Sequence, residues 1–460
     1  MQIKSSSFST RGFRLGLQPA PAWTAILGLV IFSALCILAH AGSIMRLCFP
    51  VGCFAVGAFL YWRYPLLYVG FTWWVCFLTP WVRRLIDYQS GWVDPSPVLL
   101  APFLVLLVTF VTFVRHLPKS YHQGGLPFVL ACAGVFYSFF VGLIKNLPSA
   151  AILSLLGWLT PILFGLHLFV NWREYPSYRK NIQRTFLWGV LITGAYGLLQ
   201  FMVVPPWDQY WMLQSEIDSI GRPEPFQIRV FSTMNAPGPF AVVMMAGLLL
   251  LFHSQGALLF PASAFGYLSF LLAQVRAAWL GWTVGLLTLI SSLKQHLQIR
   301  LIITIMVIVL SVLPLTTIEP FSETISSRLQ SFTTKDESYK ARSAGYAELF
   351  SLALSELPGK GLGFVIKNDS IGAYDSGIMA IFFSMGWLGA IPYLGAIFLL
   401  LFSVFQSSEG SFDPFMSAAR AISLSVFVQI GLGTVTSSLS GVVFWGFLGM
   451  AMAARKYYHR

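Results

Sequence analysis

The sequence predicts an all-α polytopic membrane protein with 12–14 transmembrane helices. Three observations carry that prediction. Mean hydropathy is +0.72. Apolar residues make up 56% of the 460 and charged residues only 10%, a balance far from that of a soluble globular domain. The apolar residues also fall into runs of about 20, the length a helix needs to cross a bilayer while satisfying its own backbone polar groups.

The runs fall at 22–42, 44–62, 65–80, 98–115, 126–144, 150–171, 184–204, 236–253, 257–273, 276–292, 299–318, 377–405, 415–434 and 439–454. Residues 1–204 thus form an N-terminal transmembrane bundle, and 205–235 a first long loop. Further spans fill 236–318, a large loop of helical or irregular character covers 319–376, and the last spans lie in 377–460. The third and last runs are short, which sets the lower bound of twelve. After a basic N-terminus the first run ends in Ala39-His40-Ala41, the form of a signal-peptidase site. The apolar run resumes almost at once, so the segment reads as a retained span.

Lys and Arg in the connections set the orientation. With the N-terminus cytoplasmic, sixteen of the 29 basic residues and three of the 17 acidic ones lie inside. The cytoplasmic segments then carry +13 and the outer ones −1, so both termini are expected inside and both long loops outside. The basic excess reports topology and attraction to anionic lipid; no nucleic-acid partner is implied. Every cytoplasmic connection is short, which leaves no room for a nucleotide-binding domain and argues against a primary pump or an enzyme fed by cytosolic nucleotide sugar. Cys36, Cys48, Cys53, Cys76 and Cys132 all fall in spans without C-x-x-C spacing. They read as small buried hydrophobes, and neither a disulfide framework nor a metal site follows.

Chemistry is therefore sought on the outer face. The interval from Ile318 to Gly377 is the longest polar stretch and closes on Asp375-Ser-Gly. Neither long outer loop contains a histidine, so a proton acceptor there must be a carboxylate. Asp375, opening the next span, is best placed; as a bare residue type it equally suits a helix N-cap. Asn235 precedes Pro237 and a span, a sequence expected to cap a helix whose free N–H groups, with Arg229 nearby, form an anion site. Arg276 stands between two apolar runs, where a guanidinium costs about 2.5–3.5 kcal/mol on insertion scales unless partnered or snorkelling. Arg83 and Arg84 face outward against the positive-inside bias; paired guanidinium groups suit phosphate, while Asp87 offers them a structural partner. Gly359-Lys-Gly-Leu-Gly363 lacks the Walker order and reads as a tight turn after Pro358.

Four stretches occur in a telling order: Arg229-Val-Phe-Ser-Thr-Met-Asn235, Gln274-Val-Arg-Ala-Ala-Trp-Leu-Gly281, Arg342…Leu357-Pro-Gly-Lys-Gly-Leu-Gly363, and Asp375-Ser-Gly…Gly386-Trp-Leu-Gly389. Together they resemble the O-antigen ligase and Wzy-type polysaccharide polymerase superfamily of bacterial envelope enzymes, over about 190–400. The resemblance implies a metal-independent glycosyltransferase of the lipid-linked-donor (C-type) class, without cofactor, in the bacterial inner (plasma) membrane. It would take a glycan from undecaprenyl diphosphate and pass it to a growing polysaccharide acceptor, beside a flippase and chain-length or export proteins. Ligases of the superfamily carry a functional histidine near the place of Asp375-Ser-Gly. Its lack here favours an exopolysaccharide polymerase over an O-antigen ligase that transfers glycan to a lipid or protein. Arg229, Arg276 and Arg342 are the expected diphosphate ligands, with Asn235, Arg83 and Arg84 as further contacts and Asp375 at the acceptor. A solute or inorganic-carbon transporter is the alternative of a different class. No internal repeat supports it, and most spans lack charge at their centres.

Overall fold

A computed structural model of the chain describes residues 19–120, 124–215, 217–252, 256–292, 298–299, 355–364, 376–406 and 413–459. The regular structure among them is helical; the one β feature is an isolated antiparallel bridge between Gly221 and Ile228. In chain order the α-helices are α1 (Ala20–Leu38), α2 (Gly42–Arg63), α3 (Pro65–Ser90), α4 (Leu100–Leu107), α5 (Phe110–Ser120), α6 (Leu126–Lys145), α7 (Pro148–Val170) and α8 (Tyr175–Val203). After these come α9 (Pro206–Gln214), α10 (Pro237–Leu251), α11 (Leu259–Leu272), α12 (Arg276–Ser292), α13 (Gly377–Gln406), α14 (Pro414–Phe427) and α15 (Ser438–Tyr458).

Nine helical stretches among the described residues are long and apolar enough to cross a membrane, and α10, α11 and α14 are shorter apolar helices. The chain is a polytopic membrane protein. The predicted spans within the described residues are mostly helix, though 98–115 is divided at Val108–Thr109 and 415–434 is helical only as far as Phe427; 300–318 and most of 319–376 lie outside the described residues. The third span differs most. It was expected to end at 80, yet α3 runs 26 residues to Ser90 and carries Arg83, Arg84 and Asp87 inside its last turns. Hydropathy ends a span at charge, but these charges are neutralised within the fold. Arg83 pairs with Asp87 one turn on, Nε to Oδ2 at 3.0 Å.

Glycine lets the helices meet. A Cβ on Gly449 of α15 would fall on the backbone of Gly165 in α7, and one on Gly134 of α6 would lie 2.6 Å from the carbonyl of Gly389 in α13. Without a hydrophobic force between helices in lipid, such small-residue approach is how they associate.

The two ends of the bundle differ. At one, Asp413 caps α14 by accepting from Phe415 N at 3.0 Å. It also accepts from Tyr175 Oη (2.5 Å), Arg179 Nη1 (3.1 Å) and Tyr458 Oη (3.0 Å), which ties the start of α8 to the end of α15. The opposite end carries the 205–235 segment, the α11–α12 turn and the starts of α10 and α13.

Candidate functional site

The segment leading into α10 lies against α8. Gly197 leaves room for Val230 and Ser232, where a Cβ would come within 2.8 Å of Val230 Cγ1. Thr193 and Gln200, one turn to either side on the same helical face, bond to Ser232. Ser232 has φ +51, a left-handed conformation a non-glycine residue keeps only when its surroundings dictate it. Arg229 projects from this segment and spends all three guanidinium nitrogens on carbonyls. Nε donates to Ala273 O (3.3 Å), Nη1 to Ser219 O (2.8 Å) and Nη2 to Gln274 O (3.1 Å). It staples the loop to the α11–α12 turn, whose Gln274 is itself held at φ +55.

Arg276, two residues on, opens α12 and is half-buried, with no acidic residue in that helix's first turn. Its depth follows from the packing. Gly281 of α12 abuts Gln429 of the α14 end and Met245 of α10. At 1.5 Å per residue, Arg276 lies about 7.5 Å and the start of α10 about 12 Å beyond that level. The chain after Gln429 continues to Ile430–Gly433, where Ile378 N donates to Ile430 O at 3.3 Å and Gly377 packs against Gly433. Arg276 therefore stands about one and a half turns past the Gly281–Gln429 contact, and the start of α13 packs on the segment that directly follows Gln429. Asp375 and Arg342 lie outside the described residues.

The four stretches that carried the resemblance meet in pairs. Arg229–Asn235 touches the turn that begins Gln274–Gly281, as just described. The segment 357–363 pairs with a break in α13. Gly386, at φ 56 and ψ −167, interrupts that helix. The groups freed at the break bond to the segment: Lys360 N donates to Phe383 O (2.7 Å), Gly361 N to Ser384 O (3.0 Å), and Trp387 N to Leu357 O (3.0 Å). Asn146 Nδ2 then covers the carbonyls of Lys360 (3.0 Å) and Leu362 (3.1 Å), and Lys145 Nζ that of Gly359 (2.8 Å). Glu356 forms an ion pair with Lys360. Gly359, Gly361 and Gly363 all have positive φ. What the sequence offered as a tight turn is a strip of irregular backbone buried between α6, α7 and α13, with its polar groups satisfied as depth in a membrane requires.

Two expectations change. The cap of α10 is Ala236, without a side-chain bond, and Asn235 Oδ1 is buried with no hydrogen-bond partner. The geometry that makes Pro237 a first-turn residue shifts the cap one position past asparagine. Arg83 and Arg84 are turned into the protein rather than presented as a fork. Arg83 serves Asp87 and Asp94 and lies 4.6 Å over the Trp92 ring. Arg84 is fully buried, 3.2 Å from Asp208 Oδ1, and donates to Ser232 O at 2.5 Å.

Asp208 and Gln200 were not singled out by sequence. Asp208, fully buried on α9, also accepts from Gln200 Nε2 (2.7 Å) and Tyr196 Oη (2.8 Å). A hint was present in the pattern, since an amide at 200 interrupts an apolar span; nothing local marked Asp208, whose partner is 124 residues away. Comparison of the chain with protein-family models, curated proteins and solved structures gave no match.

Proposed function

We propose that this protein is a polysaccharide polymerase that joins repeat units from undecaprenyl-diphosphate-linked donors at the outer face of a bacterial inner membrane. The observation that carries the reading is the placing at one bundle end of Arg276 and the N-termini of α10 and α12, with Arg229 holding the turn that presents Arg276. Helix N-termini attract anions and arginine forks match phosphate oxygens, so this end favours a diphosphate. In the reaction an acceptor hydroxyl attacks the anomeric carbon of the donor glycan. The bond from that carbon to the diphosphate oxygen breaks, and undecaprenyl diphosphate leaves with the electron pair. The hydroxyl proton passes to a carboxylate, the role assigned to Asp375. Charge grows on the leaving group, so cations fixed before the reaction contribute most. Arg276 is assigned to the diphosphate. Arg342 is assigned there on the sequence pattern, and Arg229 first of all fixes the turn that presents Arg276.

A broken helix also marks transporters, whose half-helix ends bind ions. At Gly386 the freed groups are taken by 357–361, which leaves less reason for a solute site there. Deleting the gene tests the proposal. Accumulation of single lipid-linked repeat units with loss of polymer supports a polymerase. Loss of glycan from its lipid or protein acceptor with polymer intact supports a ligase instead, and unchanged envelope glycans refute both.

A further inference from the structure

The network beneath Ser232 has more bonds than packing one serine requires. Gln200, fully buried, uses the whole capacity of its amide. Oε1 accepts from Phe231 N (3.1 Å) and Ser232 N (2.8 Å), and Nε2 donates to Asp208 Oδ2 (2.7 Å) and Ser232 O (3.3 Å). Arg84, held on Asp208, donates to the same Ser232 carbonyl, and Ser232 Oγ donates to Thr193 O at 2.5 Å. Every polar atom of Ser232 is thus tied to α3 or α8 while the residue sits at φ +51. The turn so enforced separates Arg229, bonded to the α11–α12 turn, from the entry to α10.

We infer that Gln200 is a positioning residue: its amide holds Ser232 in the left-handed conformation, which sets Arg229 against the turn that presents Arg276. Two features argue for positioning beyond simple fold support. The cost of an unfavoured backbone conformation is met by dedicated buried charge rather than avoided with glycine, which adopts it freely. The strained residue also joins Arg229, which holds the turn presenting Arg276, to the entry of α10. The inference rests on the proposed function for its kinetic readout but not for its structural one.

The test uses full-length protein in four forms: wild type, Gln200→Ala, Gln200→Ala with Ser232→Gly, and Gln200→Ala with Ser232→Ala. Amide hydrogen exchange over 226–236 and polymer formation from lipid-linked repeat units are measured, with thermal stability alongside. The single variant is expected to exchange faster over 226–236 and to lose about tenfold in turnover (kcat). Glycine at 232 should recover a large part of the turnover because it takes φ +51 without the amide, and alanine should not. Recovery of turnover by glycine without recovery of thermal stability identifies positioning. Equal exchange in the single variant and wild type, or rescue by alanine as good as by glycine, overturns the inference. Wild-type protein that makes no polymer overturns the functional reading. The exchange comparison of Gln200→Ala with wild type then still judges the clamp, and equal exchange in the two would refute it.

Discussion

Replacing Asp208 by leucine removes the anion 3.2 Å from the fully buried Arg84 guanidinium, and at the same time takes the acceptor from one N–H of Gln200 Nε2 and from the Tyr196 hydroxyl. The charge cannot reach water, because both side chains of the pair have no exposed surface. Breaking such a pair by removing one partner costs about 3–5 kcal/mol, and each orphaned buried donor about 1–3 kcal/mol more if it finds no new acceptor. The two penalties share atoms and do not add, so about 4 kcal/mol is the working figure. Replacing the whole pair, Asp208→Leu with Arg84→Met, should recover most of that loss, since an apolar pair of similar volume is often neutral beside a buried ion pair. The assay is thermal denaturation of detergent-solubilised protein for wild type, both single variants and the double, read as a double-mutant cycle. A single variant as stable as wild type, or a double less stable than Asp208→Leu alone, would refute the reasoning that Arg84 is committed to the fold.

Further outcomes are expected elsewhere. Arg276→Lys keeps charge but loses the two-pronged donor, so polymer formation should fall at unchanged membrane insertion, and Arg276→Ala should fall further; chain length and rate on gels check both. Asp375→Asn removes the proposed proton acceptor and should reduce turnover on the order of 10²-fold at normal expression, measured with purified protein and lipid-linked units; near-normal turnover removes Asp375 from the mechanism. Gly361→Ala places a Cβ on the backbone of Gly142 at a positive φ of +82, so a loss of about 2 kcal/mol or more is expected, seen as poor yield of monodisperse protein. Asp413→Ala should loosen the opposite end by about 2 kcal/mol through its lost cap and orphaned hydroxyls, and Asp413→Asn, which still caps, should lose less.

Most of the architecture was legible because apolar length is a direct consequence of bilayer thickness. The ends of elements were less so. Charge reads as the end of a span, yet Arg83 and Asp87 stand one turn apart and cancel on the same helix, which lets α3 continue ten residues past 80. Continuity misled in the other direction at α13, where an unbroken apolar run conceals the break at Gly386. The clue lay in the glycines of 359–363, whose purpose became visible only when their backbone was seen bonded to Phe383 and Ser384. Arg229 and Arg276 were picked out as residue types in unusual places, and the structure brings their surroundings together through the 273–274 carbonyls. Asp208 and Gln200 could not be ranked from sequence, because their significance is a distance to Arg84 and Ser232 rather than a motif.

The central claim is that bond formation at this end of the bundle releases a lipid diphosphate. It is tested most directly by counting both products. Purified protein in proteoliposomes is given lipid-linked repeat units without nucleotide or added metal, and undecaprenyl diphosphate and glycosidic linkages are quantified together. One undecaprenyl diphosphate per new linkage, with both lost in Arg276→Ala, is the predicted result; repeat units that cross the bilayer or stay intact with no diphosphate released would contradict it.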